Sequence, residues 1–444
     1  MAGASELSEI LTEGRGFGER VALGRVGEKI VRSEPFRPII VFGPQRSGKT
    51  TGIVIPAVLE WEGPCLVTSV RFDVVLATIE HRSGVGDVYI FDPTGLAEEI
   101  PALADYCVGW SPLDGISSWD DAVKRTFGLS ESVSADSMTE GSFWIVSARQ
   151  LLAPLLLAAA KAGGTMRDVL QWLGEDRQDL LQEIEMALSR AGHAEEDKAD
   201  DDDYDLEMLK STIRRVTTNA ENTYTSIAAT AVSMLEVFSY RSVDERCRSG
   251  GLNMDSLLNG GNNTLYICAP VNEQRLFRPL FTALTREVLN RTYSHNALQD
   301  SDREPIKILL CLDEAGNIAR LEDLDTIATT AAGSSIQLVS IFHDMSQLSY
   351  CYSEDRANLI ANNHSAKIFL PSNSDPRTNT FISAVVGDED VRGLDHRGWS
   401  FKDLRRMEKS RALCIYSNLP PLLVSLRRSF DTAELLEMAR TGDE

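Results

Sequence analysis

An α/β fold, with a mainly parallel sheet covered by helices on both faces and interrupted by an all-α insertion, is what this sequence predicts. Three observations carry that prediction. Short apolar runs rich in β-branched residues alternate with helical stretches between Pro38 and Pro93, and strand-like runs resume between Asn263 and Asn418. Such alternation is the rhythm of βαβ units, which build parallel sheets. From about Gly115 the rhythm changes, and several helical stretches follow one another with no strand between them. The third observation is a motif: PIIVF (38–42) reads as a strand, and GPQRSGKT (43–50) after it fits G-x-x-x-x-G-K-[ST]. A helical GIVIPAVLEW follows.

Phosphate chemistry explains that spacing. A loop with glycines at both ends lets its N–H groups and the helix N-terminus approach phosphate oxygens closely. Gly43, Pro44, Gln45, Arg46, Ser47, Gly48, Lys49, Thr50 and Thr51 are therefore the candidate cradle for ATP. Lys49 is expected to reach the β- and γ-phosphates, and the Thr50 hydroxyl to ligate Mg²⁺.

In chain order, PCLVTSV (64–70) is the next strand, followed by a helix from about Asp73 to His81 and the strand DVYIFDP (87–93). FWIVSARQLLAPLLLAAAKA (143–162), MRDVLQWLGE, QDLLQEIEMALSRAG and DLEMLKSTIRRV are helical in period. The acidic run 195–205 among them reads as a solvated loop, with a docking tail for a basic partner as the alternative. NTLYICAP (263–270) resumes the strands, with an amphipathic helix from Gln274 to about Ser294 after it. IKILLCLDEAGN (306–317), IQLVSIF (336–342), AKIFLPS (366–372) and ALCIYSN (412–418) complete the set. The expected division is a polar segment 1–21, a nucleotide-binding domain in two parts (22–115 and 251–430), the all-α insertion 116–250, and an acidic tail 431–444.

The strand from Ile306 delivers Asp313 and Glu314 at its C-terminal end, where binding sites of such sheets lie. Asp313 is the second candidate for Mg²⁺, and Glu314 the base that accepts a proton from the attacking water.

Composition bounds the rest. The chain has 444 residues, 43% of them hydrophobic, and a net charge of −22, so a protein that coats DNA by neutralising phosphates is not expected. A ring whose pore alone is basic is still compatible with that charge. Seven widely spaced cysteines with no C-x-x-C pair read as small buried hydrophobes in a reducing cytoplasm. The six histidines show no metal spacing, leaving Mg²⁺ as the metal to expect. The N-terminus has no signal-peptide core, and no apolar run approaches the roughly 20 residues of a membrane helix, so a soluble chain is expected. Lys210, Arg214 and Arg215 cluster on one helical stretch, and Lys402, Arg405, Arg406, Lys409 and Arg411 on another; both read as solvated faces before DNA contacts. Trp61, Trp110, Trp144 and Trp172 read as core residues.

Taken together, GPQRSGKTTGIVIPAVLEW, PCLVTS, VYIFDP, WSPLD (110–114), GSFWIVSARQLLAPLLLAA, TLYICAP, CLDEAGNIARLEDL, FHDMSQL and ANNHSAKIFLPSNSDPRTNTFISAVVGD resemble, in order and spacing, the conjugative coupling proteins of type IV secretion. These are the TraG/TraD group of RecA-like, FtsK-related P-loop motors, and the likeness covers about residues 22–430. The resemblance implies a RecA-like core and a hexameric ATPase at the inner face of the cell membrane. It would recruit DNA or a DNA–protein complex and drive it to a secretion channel. Its all-α insertion would sit at the cytoplasmic mouth of the ring and help choose the cargo.

The sequence departs from the family in four places. It begins almost directly at the motor where most members carry a membrane anchor, which implies a separate tethering protein or a soluble branch. Thr68-Ser69-Val70-Arg71-Phe72-Asp73 stands where many members have Asp-Pro-Lys-Gly. Ala332, ahead of Gly333, stands where the family has an arginine that acts on a neighbour's γ-phosphate, and His343 stands where it has a γ-phosphate-sensing glutamine. His343 and Gln347, one helical turn on, are the candidate replacements for the sensor; Arg320, Arg356 and Arg377 are candidates for the finger. Two readings follow: a turning-over translocase in a homo- or hetero-hexamer, or a nucleotide-binding cargo receptor with little hydrolysis that works beside a partner ATPase.

Overall fold

The computed structural model describes residues 11–12, 18–131, 139–191, 200–270, 272–298, 304–387, 391 and 399–440. Its strands are β1 (Leu11–Thr12), β2 (Ala22–Val26), β3 (Lys29–Arg32), β4 (Ile39–Phe42), β5 (Cys65–Ser69), β6 (Val88–Phe91), β7 (Thr264–Cys268), β8 (Ile308–Leu312), β9 (Ile336–Phe342), β10 (Ala366–Phe369), β11 (Arg411–Tyr416) and β12 (Leu422–Ser425). They form one sheet in the order β1-β3-β2-β12-β11-β10-β4-β9-β8-β5-β7-β6. From β10 to β6 every pairing is parallel; from β10 back to β1 every pairing is antiparallel.

The parallel strands are buried on both faces, and so they read as unbroken apolar runs. Alternate side chains part to the two sides. Ile40, Phe42, Leu66, Leu310 and Leu312 enter one apolar cluster, and Ile39, Val41, Val67, Cys311 and Ile341 the other. Phe42 stacks on Phe369 of the neighbouring β10 at 5.3 Å between ring centroids. The first cluster continues without a break into the helix Gln274–Ala297 and the helical layer between β6 and β7. In that layer, helices run from Trp119–Ser130 to Arg241–Ser249 with no strand among the described residues.

The helix Thr139–Lys161 centres the layer. Over Ser142–Lys161 it is long and apolar enough to cross a membrane, the one such helix among the described residues, but 61% of that window is buried against other helices. The acidic run 195–205 differs from its sequence reading. Residues 192–199 lie outside the described residues, while Asp200 onward opens the helix Asp200–Thr217. Carboxylates suit a helix N-terminus. Asp205 is buried, not solvated: it accepts from the Trp119 amide at 3.0 Å and pairs with Lys161 at 3.6 Å. The second basic cluster is likewise not one helix. The helix Phe401–Arg406 ends before Lys409, and Arg411 already belongs to β11. Trp61, Trp110 and Trp172 are buried and Trp144 is half-buried; all seven cysteines are free, six of them buried.

Candidate active site

Four strand ends build one cavity of about 490 Å³, lined from the P-loop, the end of β5, the Asp313–Asn317 turn after β8, His343 after β9, and three residues near the C-terminus. The register makes the arrangement inevitable. Phe42 pairs with Phe342, and Leu312 with Ser340, so the loops leaving β4, β9 and β8 emerge side by side.

Gln45 to Thr51 line the cavity, whereas Gly43 and Pro44 lie behind it. Gly43 is required by packing: a Cβ there would fall 2.5 Å from Ser47 Oγ and 2.7 Å from a Leu370 methyl. Gly48 (φ +97°) and Arg46 (φ +61°) hold left-handed backbone, as does Glu314 (φ +58°) on the facing turn. Such strain in side-chain-bearing residues gathers at functional sites. The chain then enters a wide first turn, Thr50–Val54, which runs on into the helix Ile55–Glu60; Pro56 within it has no amide to donate, and the Thr51 carbonyl one turn back accepts from Ser429.

Lys49 is more enclosed than a residue at a cleft surface, at 7% exposed. Its ammonium donates to Glu314 Oε1 and to His343 Nδ1, each at 3.0 Å. An ammonium can only donate, so Nδ1 accepts and the His343 proton lies on Nε2, 3.2 Å from Glu314 Oε2. Asn317 donates to that same oxygen at 3.2 Å. Burial works against charge on Glu314, but His343 and Lys49 outweigh it and hold the carboxyl down at about 2. Asp313 has the opposite fate: burial first, then the neighbouring Glu314 charge, push it up to about 7.

The Asp313 carboxylate accepts from Thr50 Oγ1 at 3.3 Å through Oδ2, while Oδ1 is buried with no partner. A carboxylate oxygen left bare beside a threonine hydroxyl is an arrangement a hard cation satisfies, and these two ligands suit Mg²⁺, which keeps waters and phosphate oxygens for its other positions. No three His, Cys, Asp or Glu side chains gather into an all-protein metal cage among the described residues.

Gln347 is not in the cavity lining. Its Oε1 accepts from the His343 amide at 2.7 Å, so it holds the loop that carries His343. Ala332 is exposed in the turn Ala332–Ser334, which precedes β9, while His343 follows it. A seven-residue strand separates them, about 20 Å, so a side chain at 332 does not reach this cavity. Arg356 is tied to Asp325 at 2.6 Å, Arg320 lies over the Tyr352 ring, and Arg377 faces Glu354 at 3.7 Å.

Sequence reading missed Gln274, Lys409, Arg428 and Phe430, which also line the cavity. Ser69, Val70, Arg71 and Asp73, from the segment that departs from Asp-Pro-Lys-Gly, line it too.

Residues 9–413 match the family model for type IV secretory system conjugative DNA transfer. Protein VirD4 of Rhizobium rhizogenes is 25% identical over 376 residues, covering 79% of this chain and 49% of that protein. Conjugal transfer protein TraG of Escherichia coli is 23% identical over 326 residues, covering 70% and 48%. The chain spans about half the length of these curated relatives. Among solved structures, the bacterial conjugative coupling protein TrwBdeltaN70 in its unbound form superposes with a TM-score of 0.70 at 18% identity, over 95% of this chain and 91% of that one. TrwB in complex with ADP and Mg²⁺ gives 0.66 at 17%, over 96% and 92%. The fold is the RecA-like P-loop fold. The chain belongs to the type IV secretory system conjugative DNA transfer family.

Proposed function

We propose that this chain is an ATP-hydrolysing coupling motor of a conjugation or type IV secretion system, which recruits DNA or a nucleoprotein and drives it to the transfer channel. One observation carries the reading: Lys49, Thr50, Asp313 and Glu314, from two distant stretches of chain, converge in one cavity. TrwB has been solved with ADP and Mg²⁺ and with non-hydrolysable ATP and GTP analogues, which supports a nucleotide here.

In the mechanism, the Gln45–Thr51 amides and Lys49 bind the phosphates, and Lys49 leaves Glu314 as it does so. Thr50 and Asp313 would hold Mg²⁺, which would neutralise phosphate charge that builds up in the reaction. Glu314, held ionised, is freed on one oxygen to accept a proton from the attacking water. His343 Nε2–H keeps that carboxylate oriented, and Gln347 keeps His343 in place. On this reading the protein works as a ring at the cytoplasmic face of the inner membrane, with residues 116–250 as its cargo-facing domain and a channel or anchoring protein as partner. A second reading, a slow nucleotide-gated receptor, is favoured by the alanine at 332.

Lys49→Ala tests the first reading. Removing the cation should weaken Mg·ATP binding on the order of a hundredfold by calorimetry. It should also abolish DNA-stimulated turnover while leaving the circular dichroism spectrum intact. Unchanged ATP affinity refutes the assignment.

A further inference from the structure

Among the described residues, the cavity's lining carries one phenyl ring, Phe430's, and the P-loop motif does not account for it. Phe430 is 58% exposed, although it is large and apolar and borders a charged cavity. Its position is not casual. The segment that follows β12 crosses the start of the P-loop helix, where Ser429 N–H donates to the Thr51 carbonyl at 2.9 Å. Leu426 packs against that helix where Gly52 leaves room: a Cβ on Gly52 would come within 3.3 Å of a Leu426 methyl. Arg427, 2% exposed, is clamped to Glu60 at 2.5 Å and to Glu434 at 3.1 Å. Pinned on both sides, the segment presents Arg428 and Phe430 to the cavity, with Lys409 beside them in the lining. The Arg428 guanidinium carbon lies 5.6 Å from the Phe430 ring centroid, and its Nε is buried with no hydrogen-bond partner.

We propose that Phe430 and Arg428 form the nucleobase platform of this site. The π face of a nucleobase stacks on the open face of the Phe430 ring, and the Arg428 guanidinium lies against that ring. The terminal N–H groups of the Arg428 guanidinium are the donors for a ribose or α-phosphate oxygen. Stacking of this kind uses a feature every base has, so adenine and guanine nucleotides gain from it alike. The platform also ties base recognition to the C-terminal segment, since a base on Phe430 braces Ser429 against the first turn of the P-loop helix. The proposal rests on the P-loop reading above.

The experiment measures binding of Mg·ATP, Mg·GTP and inorganic tripolyphosphate with Mg²⁺ to the full chain and to Phe430→Ala and Phe430→Trp. Phe430→Ala should weaken ATP and GTP about tenfold each and leave tripolyphosphate unchanged. Phe430→Trp should keep or improve both nucleotide affinities. Equal ATP affinity in wild type and Phe430→Ala overturns the platform and leaves the phosphate reading standing. A parallel loss of tripolyphosphate binding in Phe430→Ala also overturns it, because the ring would then be supporting the loop and not a base. Failure of the wild-type chain to bind tripolyphosphate or ATP overturns the P-loop reading and the platform with it.

Discussion

Glu314 is asked to do two things. Without nucleotide it neutralises Lys49, with side-chain exposures of 13% and 8% for the pair; with nucleotide it is needed as a base. The carboxylate therefore competes with phosphate for Lys49. Glu314→Gln keeps the shape and removes the charge, so two effects should separate. Turnover should fall roughly 10²–10⁴-fold with the loss of the base. Mg·ATP affinity should rise, since Lys49 no longer leaves a buried ion pair to bind phosphate. Rapid-quench turnover and equilibrium binding on the same variant check both, and turnover equal to wild type would remove Glu314 from the chemistry. This site was half legible in the sequence. Gly43–Thr50 and Asp313-Glu314 are compact motifs whose spacing states their chemistry. The resting bonds of Lys49 to Glu314 and His343 are not, because a motif gives roles and not partners. Phe430, Arg428 and Lys409 come from more than 350 residues beyond the P-loop, the first two by the turn of chain after β12 and Lys409 from just before β11.

Among the secondary-structure elements, legibility followed burial. β4, β5, β7, β8, β9 and β10 are buried on both faces and stand out as apolar runs. β2 and β3 do not: Gly24 sits at a bulge with φ +142°, and Lys29 and Arg32 break the run. β12 was hidden behind Pro420-Pro421, which opens it. The junction between the helix Glu354–Asn363 and β10 carries a buried histidine with a measurable consequence. His364 Nδ1–H donates to the Ile360 carbonyl at 2.7 Å, and Nε2 accepts from the Ser340 hydroxyl of β9 at 3.2 Å. Full burial lowers its pKa from 6.5 to about 4. The unfolded chain takes up a proton near pH 6.5 that the folded chain refuses until about pH 4, so stability is complete above 6.5 and is lost as pH falls through that window. Between pH 7.5 and 5.0 this one group should cost about 2 kcal/mol. Urea unfolding of His364→Gln should accordingly show a pH dependence shallower than wild type by about that amount. Equal slopes would mean that the imidazole is protonated in place.

At the scale of the whole molecule, Ala332 stands where the resembling family carries the arginine that acts on a neighbour's γ-phosphate. Ala332 lies at the opposite end of β9 from His343, on an exposed turn, which is where a group acting on a neighbouring copy would stand. An arginine finger is worth on the order of 10³–10⁵ in rate where it operates. Of the other arginines near these turns, Arg356 already holds Asp325 at 2.6 Å, and releasing it would leave a carboxylate unpaired. Arg377, half exposed and 3.7 Å from Glu354, is the least committed. Two outcomes are thus set apart. If the chain is a motor that lost its finger, the purified protein should bind Mg·ATP and hydrolyse it slowly at every concentration, and DNA should add little. Ala332→Arg combined with His343→Gln should then raise turnover by more than about tenfold, with the rate per subunit climbing as copies assemble. If instead the unmodified protein hydrolyses ATP briskly with DNA, the deficit does not exist, and Arg377→Ala should collapse that activity while leaving ATP affinity unchanged. Steady-state rates across a concentration series, with sedimentation on the same samples, separate the two. An Ala332→Arg variant with His343 intact that is no faster than a slow wild type would show that position 332 does not face a neighbour's phosphate.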